Sequence, residues 1–359
     1  MSKIVSIGTA VPAYCHRQMD ILSFMQTVYA LPTDEARKLR FMYGQSGIAQ
    51  RYSVISDYSR PLPEWKFYPQ TESIEPFPAL EQRMAVYSKQ APLLSVDAIR
   101  DCLSHPHHPQ NITHLITVSC TGMSAPGLDL QVMELMDLKK TIFRTSINFM
   151  GCYAAIHALK IADAICKTDE KAQVLIVCTE LCTLHFQKEA TMDNMASSLL
   201  FGDGSSAALV MHDGAYPNGL YLDGFYSEIN PKGKRDMAWE LSSSGFLMTL
   251  SGYVPDLIEE DFALIVERAL EHNNKSRNNI TDWCIHPGGK KILQAIHKSL
   301  RFSNGQLQPS YDVLNEFGNI SSATVLFVLK KMMQQKKVLN LFGAAFGPGL
   351  TVETFTAHS

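Results

Sequence analysis

Between Thr113 and Cys178 the chain alternates apolar runs with helical segments. The run Thr113 to Cys120 is followed by a helix near Leu128 to Met136, the run Thr141 to Phe149, a helix from Cys152 to Cys166, and the run Ala172 to Cys178. Apolar runs of this kind fit strands covered on both faces, and their alternation with helices predicts an α/β fold with a mostly buried sheet. Further on, strands are predicted near Leu220 to Ile229 and Phe246 to Leu250, then a helix near Val254 to Glu271 and a strand at Trp283 to His286. Helices near Lys290 to Leu300 and Ser321 to Gln335 and strands in Leu339 to Phe346 and Thr351 to Phe355 complete the pattern.

Upstream, a strand at Lys3 to Gly8 precedes helices near Met19 to Tyr29 and Asp34 to Tyr43, a mixed region suited to a lid. Residues 57–78 carry prolines and aromatics without periodicity, as a long surface loop does, and a helix follows from Leu80 to Leu103. Leu200-Phe-Gly-Asp-Gly-Ser-Ser-Ala-Ala-Leu-Val210 and Ala345-Phe-Gly-Pro-Gly-Leu-Thr-Val352 each place a glycine turn before an apolar strand, the kind of echo that an internal duplication leaves.

With 359 residues, 46% apolar and 19% charged, the chain has material for one large domain or two of ordinary size. A formal net charge of -3 gives no global attraction to nucleic acid or anionic membrane, so anion binding has to be local. The aromatic stretch at 60–69 lacks the basic surround of a base-stacking surface. No stretch approaches 18 uncharged apolar residues and the N-terminus lacks a signal-peptide pattern, so the expected location is the cytoplasm, with no membrane span. The eight cysteines sit mostly inside apolar runs, as free thiols do, and no structural disulfide is expected. Cys178, Cys182 and His185 lack a fourth ligand and a common helical face, so no metal site is expected; His105-Pro-His-His108 reads as a solvated turn.

Three segments can carry chemistry. In Asn148-Phe-Met-Gly-Cys-Tyr-Ala-Ala-Ile-His157 a strand runs into Gly151 and Cys152 at the start of an Ala-rich helix, where the dipole and free N–H groups favour a thiolate. That segment fits a small buried cysteine equally well. In Trp283-Cys-Ile-His-Pro-Gly-Gly289, His286 ends a strand at a forced turn, although a single histidine is more often packed than catalytic. In Asn315-Glu-Phe-Gly-Asn-Ile-Ser-Ser-Ala-Thr324, Asn319 is well suited to cap the helix that follows.

Taken in order, Gly-Cys at a strand-to-helix turn, His-Pro-Gly-Gly, Gly-Asn-Ile-Ser-Ser-Ala and Phe-Gly-Pro-Gly resemble the chalcone synthase, or type III polyketide synthase, family, in a bacterial-type rather than plant-type pattern. The resemblance runs from about Val118 to Thr354. It implies a thiolase-like five-layered α-β-α-β-α fold of two duplicated halves, 1–211 carrying the nucleophile and 212–359 carrying the histidine and asparagine, assembled as a homodimer. It implies an acyltransferase without a cofactor, taking acyl-CoA and malonyl-CoA as substrates. Cys152 would be acylated, with its pKa lowered by the helix dipole and His286. His286 and Asn319 would hold the enolate oxygen of decarboxylated malonyl thioester, and cyclisation would yield a resorcinol, phloroglucinol or pyrone.

The resemblance further places Phe201 and Met248 at the gate between CoA tunnel and cavity, and Cys120, Cys182, His185, Ser321 and Trp239 on the cavity wall. Lys38 and Arg40 fall in the CoA-phosphate region. Met248 stands where plant enzymes carry an aromatic, which points to a fatty or otherwise non-plant-like starter, and Ala345 replaces a glycine of the closing loop. A single-condensation ketoacyl synthase III-like enzyme and a catalytically silent partner subunit are the alternatives. The His-Pro-Gly-Gly and Phe-Gly-Pro-Gly motifs oppose the first, and the complete catalytic set opposes the second.

Overall fold

The apolar runs become strands of one mixed sheet that wraps around a pair of central helices. The computed structural model describes residues 1–103, 107–216, 218–234, 236–335 and 338–359. In chain order the first part comprises β1 (Ser2–Ala10), β2 (Tyr14–Arg17), α1 (Gln18–Tyr29), α2 (Thr33–Gln45), β3 (Gln50–Ser53) and α3 (Leu80–Cys102). It continues with β4 (His114–Ser119), α4 (Leu128–Leu135), β5 (Phe143–Asn148), α5 (Ala154–Thr168), β6 (Gln173–Leu181), α6 (Met192–Leu200) and β7 (Asp203–His212). The second part comprises β8 (Leu220–Ile229), β9 (Met237–Ser242), β10 (Gly245–Leu250), α7 (Val254–His272) and β11 (Asp282–Ile285). It closes with α8 (Lys290–Ser299), α9 (Gln308–Phe317), α10 (Thr324–Gln335), β12 (Asn340–Gly347) and β13 (Thr351–His358).

Among the described residues the main sheet has nine strands, in the order β11-β12-β13-β8-β1-β7-β6-β4-β5. A four-strand unit occurs twice in it. β4 runs parallel to β6, β6 antiparallel to β7, and β7 antiparallel to β1; β11 runs parallel to β12, β12 antiparallel to β13, and β13 antiparallel to β8. The two glycine-turn echoes in the sequence lead into β7 and β13, which occupy the same place in the two units. Short pairing of Ser2 with Leu222, Lys3 with Tyr221 and Ile4 with Leu220 joins the units edge to edge.

Strand alternation sets the layers, because successive side chains point to opposite faces. On β6, Val174, Ile176 and Cys178 face the central helices α5 and α10, while Leu175, Val177 and Leu181 face α1 and α3. On β12, Leu341 and Ala345 face inward, and Phe342, Ala344 and Phe346 pack under α7 and α8. Five alternating layers result, in the thiolase-like arrangement. Helix α5 can lie between sheets because its buried face is built of small residues, Ala154, Ala155, Ala158 and Ala162. Each large aliphatic side chain buried beside it, such as Leu326 or Leu329 of α10, stabilises the fold by roughly 1.5–3 kcal/mol.

Several segments differ from the sequence reading. β10 leaves the main sheet and pairs only with β9 in a hairpin, since both its ends turn back on polar residues. The region suited to a lid is instead a wall, with Ile21, Leu22, Phe24 and Met25 of α1 in the core. The proline-rich loop is packed through Asp57, whose carboxylate accepts the N–H groups of Lys66, Phe67 and Tyr68, and through buried Tyr58, Trp65 and Tyr68. Of the histidine-rich turn, residues 104–106 lie outside the described residues. Among the described residues no helix is long and apolar enough to cross a membrane.

Helix α3 docks on β1 at Gly8, where a Cβ would stand 2.1 Å from the Ala98 carbonyl oxygen and 2.2 Å from the Cys102 nitrogen. Those are backbone atoms and cannot rotate aside. Gly8→Ala should therefore destabilise the fold by about 3 kcal/mol, the upper range for overpacking, read as a lowered urea midpoint at unchanged m-value.

Candidate active site

The N-terminal ends of α5 and α10 meet, and each helix opens through a 3-10 turn, Gly151–Tyr153 and Ser321–Ala323. Cys152 sits in the first of these turns. The approach to it is strained: Phe149 (φ 58°) and Gly151 (φ 73°) both lie in the left-handed region, which side chains other than glycine seldom adopt. Gly151 is required there, since a Cβ would come within 2.2 Å of Pro348 in the closing Phe-Gly-Pro-Gly loop. Its N–H donates to Cys120 Sγ at 3.1 Å.

Asn319 follows Gly318, itself at φ 69°, and Ser321 follows at φ 47°. The Asn319 main chain is tied to the segment before β7: its N–H donates to the Leu200 carbonyl at 2.9 Å, and its carbonyl accepts from Gly202 N–H at 3.0 Å. Its side-chain oxygen accepts the Ser321 N–H at 2.8 Å, so it does cap the turn. That bond fixes the amide orientation and leaves Nδ2 as a donor 3.9 Å from Cys152 Sγ, with Ser321 Oγ at 3.8 Å. The amide thus both braces the turn and presents Nδ2 toward the sulfur.

His286 follows β11 as Cys120 follows β4, in the matching place of the other four-strand unit. Its N–H donates to Ala344 O at 2.8 Å, its side chain is 1% exposed, and neither ring nitrogen has a partner among the described residues. A neutral imidazole offers one donor and one acceptor nitrogen.

A cavity of ≈ 80 Å³ opens at Cys152 and Ser321, while Asn319 and His286 are not among the residues that line it. Cys120, Cys152, Cys182, His185, Phe201 and Ser321 all line it, as do Trp239 and Met248, which stand opposite each other across the β9–β10 hairpin. Trp239 is fixed by its indole N–H, which donates to the Cys120 carbonyl at 2.7 Å. His185 is fixed as well: Nδ1 accepts Phe246 N–H at 3.2 Å, so Nε2–H donates to the Thr121 carbonyl at 2.8 Å. Its ring stacks on Phe246 with centroids 4.2 Å apart. Cys178, by contrast, faces the central layer, apart from Cys182 and His185. Lys38 and Arg40 lie exposed on α2, and Lys38 flanks a surface groove with Phe41 and Met192 outside the cavity.

Burial dominates the electrostatics. The Cys152 thiol is not lowered as expected from its helix terminus but pushed up to about 12 by desolvation; the Ser321 and Asn319 hydrogen bonds act in the opposite direction, and Glu180 adds to the rise. Desolvation lowers His286 to about 3, so the imidazole is neutral at physiological pH. His185 is lowered to about 3 for the same reason, its bond to Thr121 opposing the change.

Sequence reasoning passed over Glu180, Arg51 and the α1 residues Ile21 and Met25. Arg51, Ile21 and Met25 line the cavity. Glu180 ends β6 fully buried, accepting the Ser322 hydroxyl, the Thr121 hydroxyl at 2.8 Å and Cys120 N–H at 2.9 Å. A carboxylate closing an otherwise apolar strand was the available signal.

Residues 1–214 match the profile of the N-terminal domain of chalcone and stilbene synthases, and residues 224–359 that of their C-terminal domain. The chain belongs to the chalcone and stilbene synthase family. It is 28% identical over 364 residues to "Probable polyketide synthase 1" of Dictyostelium discoideum, covering 98% of this chain and 11% of that protein. The chain thus spans about a tenth of that relative's length. It superposes at a TM-score of 0.90 and 27% identity on the C-terminal type III polyketide synthase domain of "Steely1", a type I/III hybrid from Dictyostelium, over 99% of this chain and 98% of that one. The fold is also that of PKS-I from the brown alga Ectocarpus siliculosus, with a TM-score of 0.93, 24% identity, and coverage of 100% and 98%.

Glu180 gives the protein a pH signature. Desolvation raises its pKa from 4.5 to about 7, so between those values the folded state holds a proton that the unfolded state has released. Its contribution to stability therefore falls as pH rises through that window and levels off above it, by about 3 kcal/mol in total. The melting temperature of the wild type relative to Glu180→Gln should decline from pH 4.5 to 7.5; a constant difference would show that Glu180 stays ionised.

Proposed function

We propose that Cys152 takes an acyl group from a CoA starter and that the chain extends it with malonyl-CoA by decarboxylative Claisen condensation, ending in cyclisation to a resorcinol, phloroglucinol or pyrone. The observation that carries this reading is a cysteine at a helix start facing a largely apolar cavity, with the Asn319 amide Nδ2 donating toward its sulfur at 3.9 Å; His286 is assigned to the same chemistry by the family resemblance.

A thiol pushed up to about 12 has to lose its proton as sulfur bonds to the starter carbonyl, and that proton leaves with CoA. Sulfur then bonds to the starter carbonyl carbon, the bond to CoA sulfur breaks, and CoA leaves with a proton. The resulting thioester is uncharged, so the desolvation that opposed the thiolate no longer acts. Malonyl-CoA next loses carbon dioxide; the electron pair of the broken C–C bond forms an enolate, whose oxygen accepts N–H bonds from His286 and Asn319. The enolate carbon attacks the Cys152 thioester, the C–S bond breaks, and the lengthened chain is left on CoA, ready to reload.

Cavity shape bears on the starter. Met248 is flexible where an aromatic would be rigid, while Trp239 opposite it fills one wall. We take the starter to be a fatty or other non-plant-like acyl group, passing Phe201 and Met248, with Cys120, Cys182, His185, Ser321 and Trp239 shaping the product. Lys38 and Arg40 are assigned to the CoA phosphates. The halves 1–211 and 212–359 are taken as the duplicated units, acting in a cytoplasmic homodimer. Edge strand β5 supports that assembly, since it is largely exposed and carries Phe143 at 69% exposure.

Intact-protein mass after mixing with acyl-CoA should show an adduct that Cys152→Ala lacks. Absence of any adduct would favour a silent subunit, and extension only by carrier-bound malonate a ketoacyl synthase III-like enzyme. Asn319→Ala should lower malonyl-CoA decarboxylation about 100-fold, as loss of an oxyanion donor does. In a starter panel read by product mass, turnover of small aromatic starters alone would overturn the fatty-starter reading. Met248→Phe should cut turnover of the bulkiest accepted starter by about tenfold.

A further inference from the structure

Arg51 ends up in an unusual place. It is 3% exposed and lines the same cavity as Cys152, yet it meets no carboxylate at salt-bridge distance among the described residues. The nearest acid acting on it, Asp203, is already engaged by the N–H groups of Val54 and Thr183 and by the Thr183 hydroxyl. Burying a guanidinium without a counter-ion is strongly unfavourable, so what it holds in return has to matter.

What it holds is one side-chain amide and one main-chain carbonyl. Arg51 Nε donates to Gln18 Oε1 at 2.9 Å, and one terminal nitrogen donates to the Phe201 carbonyl. Gln18 Nε2 in turn donates to the Leu199 carbonyl at 2.7 Å. The segment Leu199 to Gly202 is therefore held from both sides. The carbonyls of Leu199 and Phe201 face the Gln18–Arg51 pair, while the Leu200 carbonyl and Gly202 N–H face Asn319. The Arg51 stem also lies against Gly318, where a Cβ would come within 2.8 Å of it. Its other terminal nitrogen is buried and without a partner.

We propose that Arg51 is a positioning residue: with Gln18 it clamps the Leu199–Gly202 segment, and through that segment it sets the Asn319 amide against Cys152 and the Phe201 ring at the cavity. Gln18 is the lesser half of the clamp. The proposal rests on the reading of Asn319 as an enolate donor. Arginine suits the task because its planar fork serves two acceptors in different directions, which a lysine ammonium at the end of a flexible stem does not reproduce.

The test uses the full-length enzyme and two separate rates: acylation of Cys152 by acyl-CoA, followed by mass, and carbon dioxide release from malonyl-CoA. Arg51→Met should lower decarboxylation about 30-fold and acylation no more than about threefold, and Gln18→Met should do the same more weakly. Arg51→Lys should stay close to Arg51→Met. In the double variant Arg51→Met with Asn319→Ala, decarboxylation should be no slower than in Asn319→Ala alone, because the clamp acts through that side chain.

Full rescue by lysine, equal losses in both rates, or multiplying effects in the double variant would each overturn the proposal. So would unimpaired decarboxylation in Arg51→Met when Asn319→Ala is impaired. If Asn319→Ala decarboxylates normally, the donor reading fails and the clamp proposal with it. Should Arg51→Met not fold, Gln18→Met and its double variant with Asn319→Ala decide the matter by the same criteria.

Discussion

Desolvation where the two central helices begin is the constraint on which the rest of the site depends. A half-buried thiol, a buried imidazole and a buried carboxylate are each shifted by desolvation toward the neutral form. Cys152 is pushed up to about 12, His286 down to about 3 and Glu180 up to about 7. A neutral resting site has a chemical use. Apart from the Arg51 guanidinium on the cavity wall, charge at Cys152 and His286 appears only while bonds are changing, and donors that are already in place stabilise it.

That constraint explains why so much of the surrounding structure is geometry rather than charge. Thr121, Ser321 and Ser322 hydroxyls, main-chain N–H groups and the Asn319 amide do the local hydrogen bonding. Buried polar groups of this kind have to be satisfied nearly completely, which fixes rotamers and tautomers. His185 illustrates the point, with one nitrogen accepting, the other donating and the ring stacked on Phe246. The His286 ring and one terminal nitrogen of Arg51 are exceptions, without a partner among the described residues.

Much of the fold was readable from residues because the main strands and helices are long and strongly patterned. β8 matches its predicted span Leu220 to Ile229, and α3 and α7 match to within a residue or two. What escaped was short or dependent on distant partners. α6 and α9 are brief, and β2, β3 and β9 are short strands held by pairing with a neighbour. Around the site, Cys152, His286 and Asn319 stood at turns that the chain itself declares through Gly151, Pro287-Gly288-Gly289 and Gly318. Arg51 had no local signal, since its role lies in carbonyls 150 residues away. The raised thiol was illegible for a similar reason: a helix terminus is a local feature, whereas desolvation is a property of everything packed around it.

The glycines at these turns show how the two kinds of information meet. Gly151 admits Pro348, and Gly347 leaves room for Tyr153, so the closing loop rests directly on the nucleophile's turn. Gly318 admits the stem of Arg51 beside Asn319. In each case the missing side chain is filled by a residue from elsewhere in the chain, and the contact falls within one or two residues of Cys152 or Asn319. Sequence motifs here are therefore records of close approach. They mark where one half of the molecule must touch another before a thiol, an amide and an imidazole can serve a single reaction.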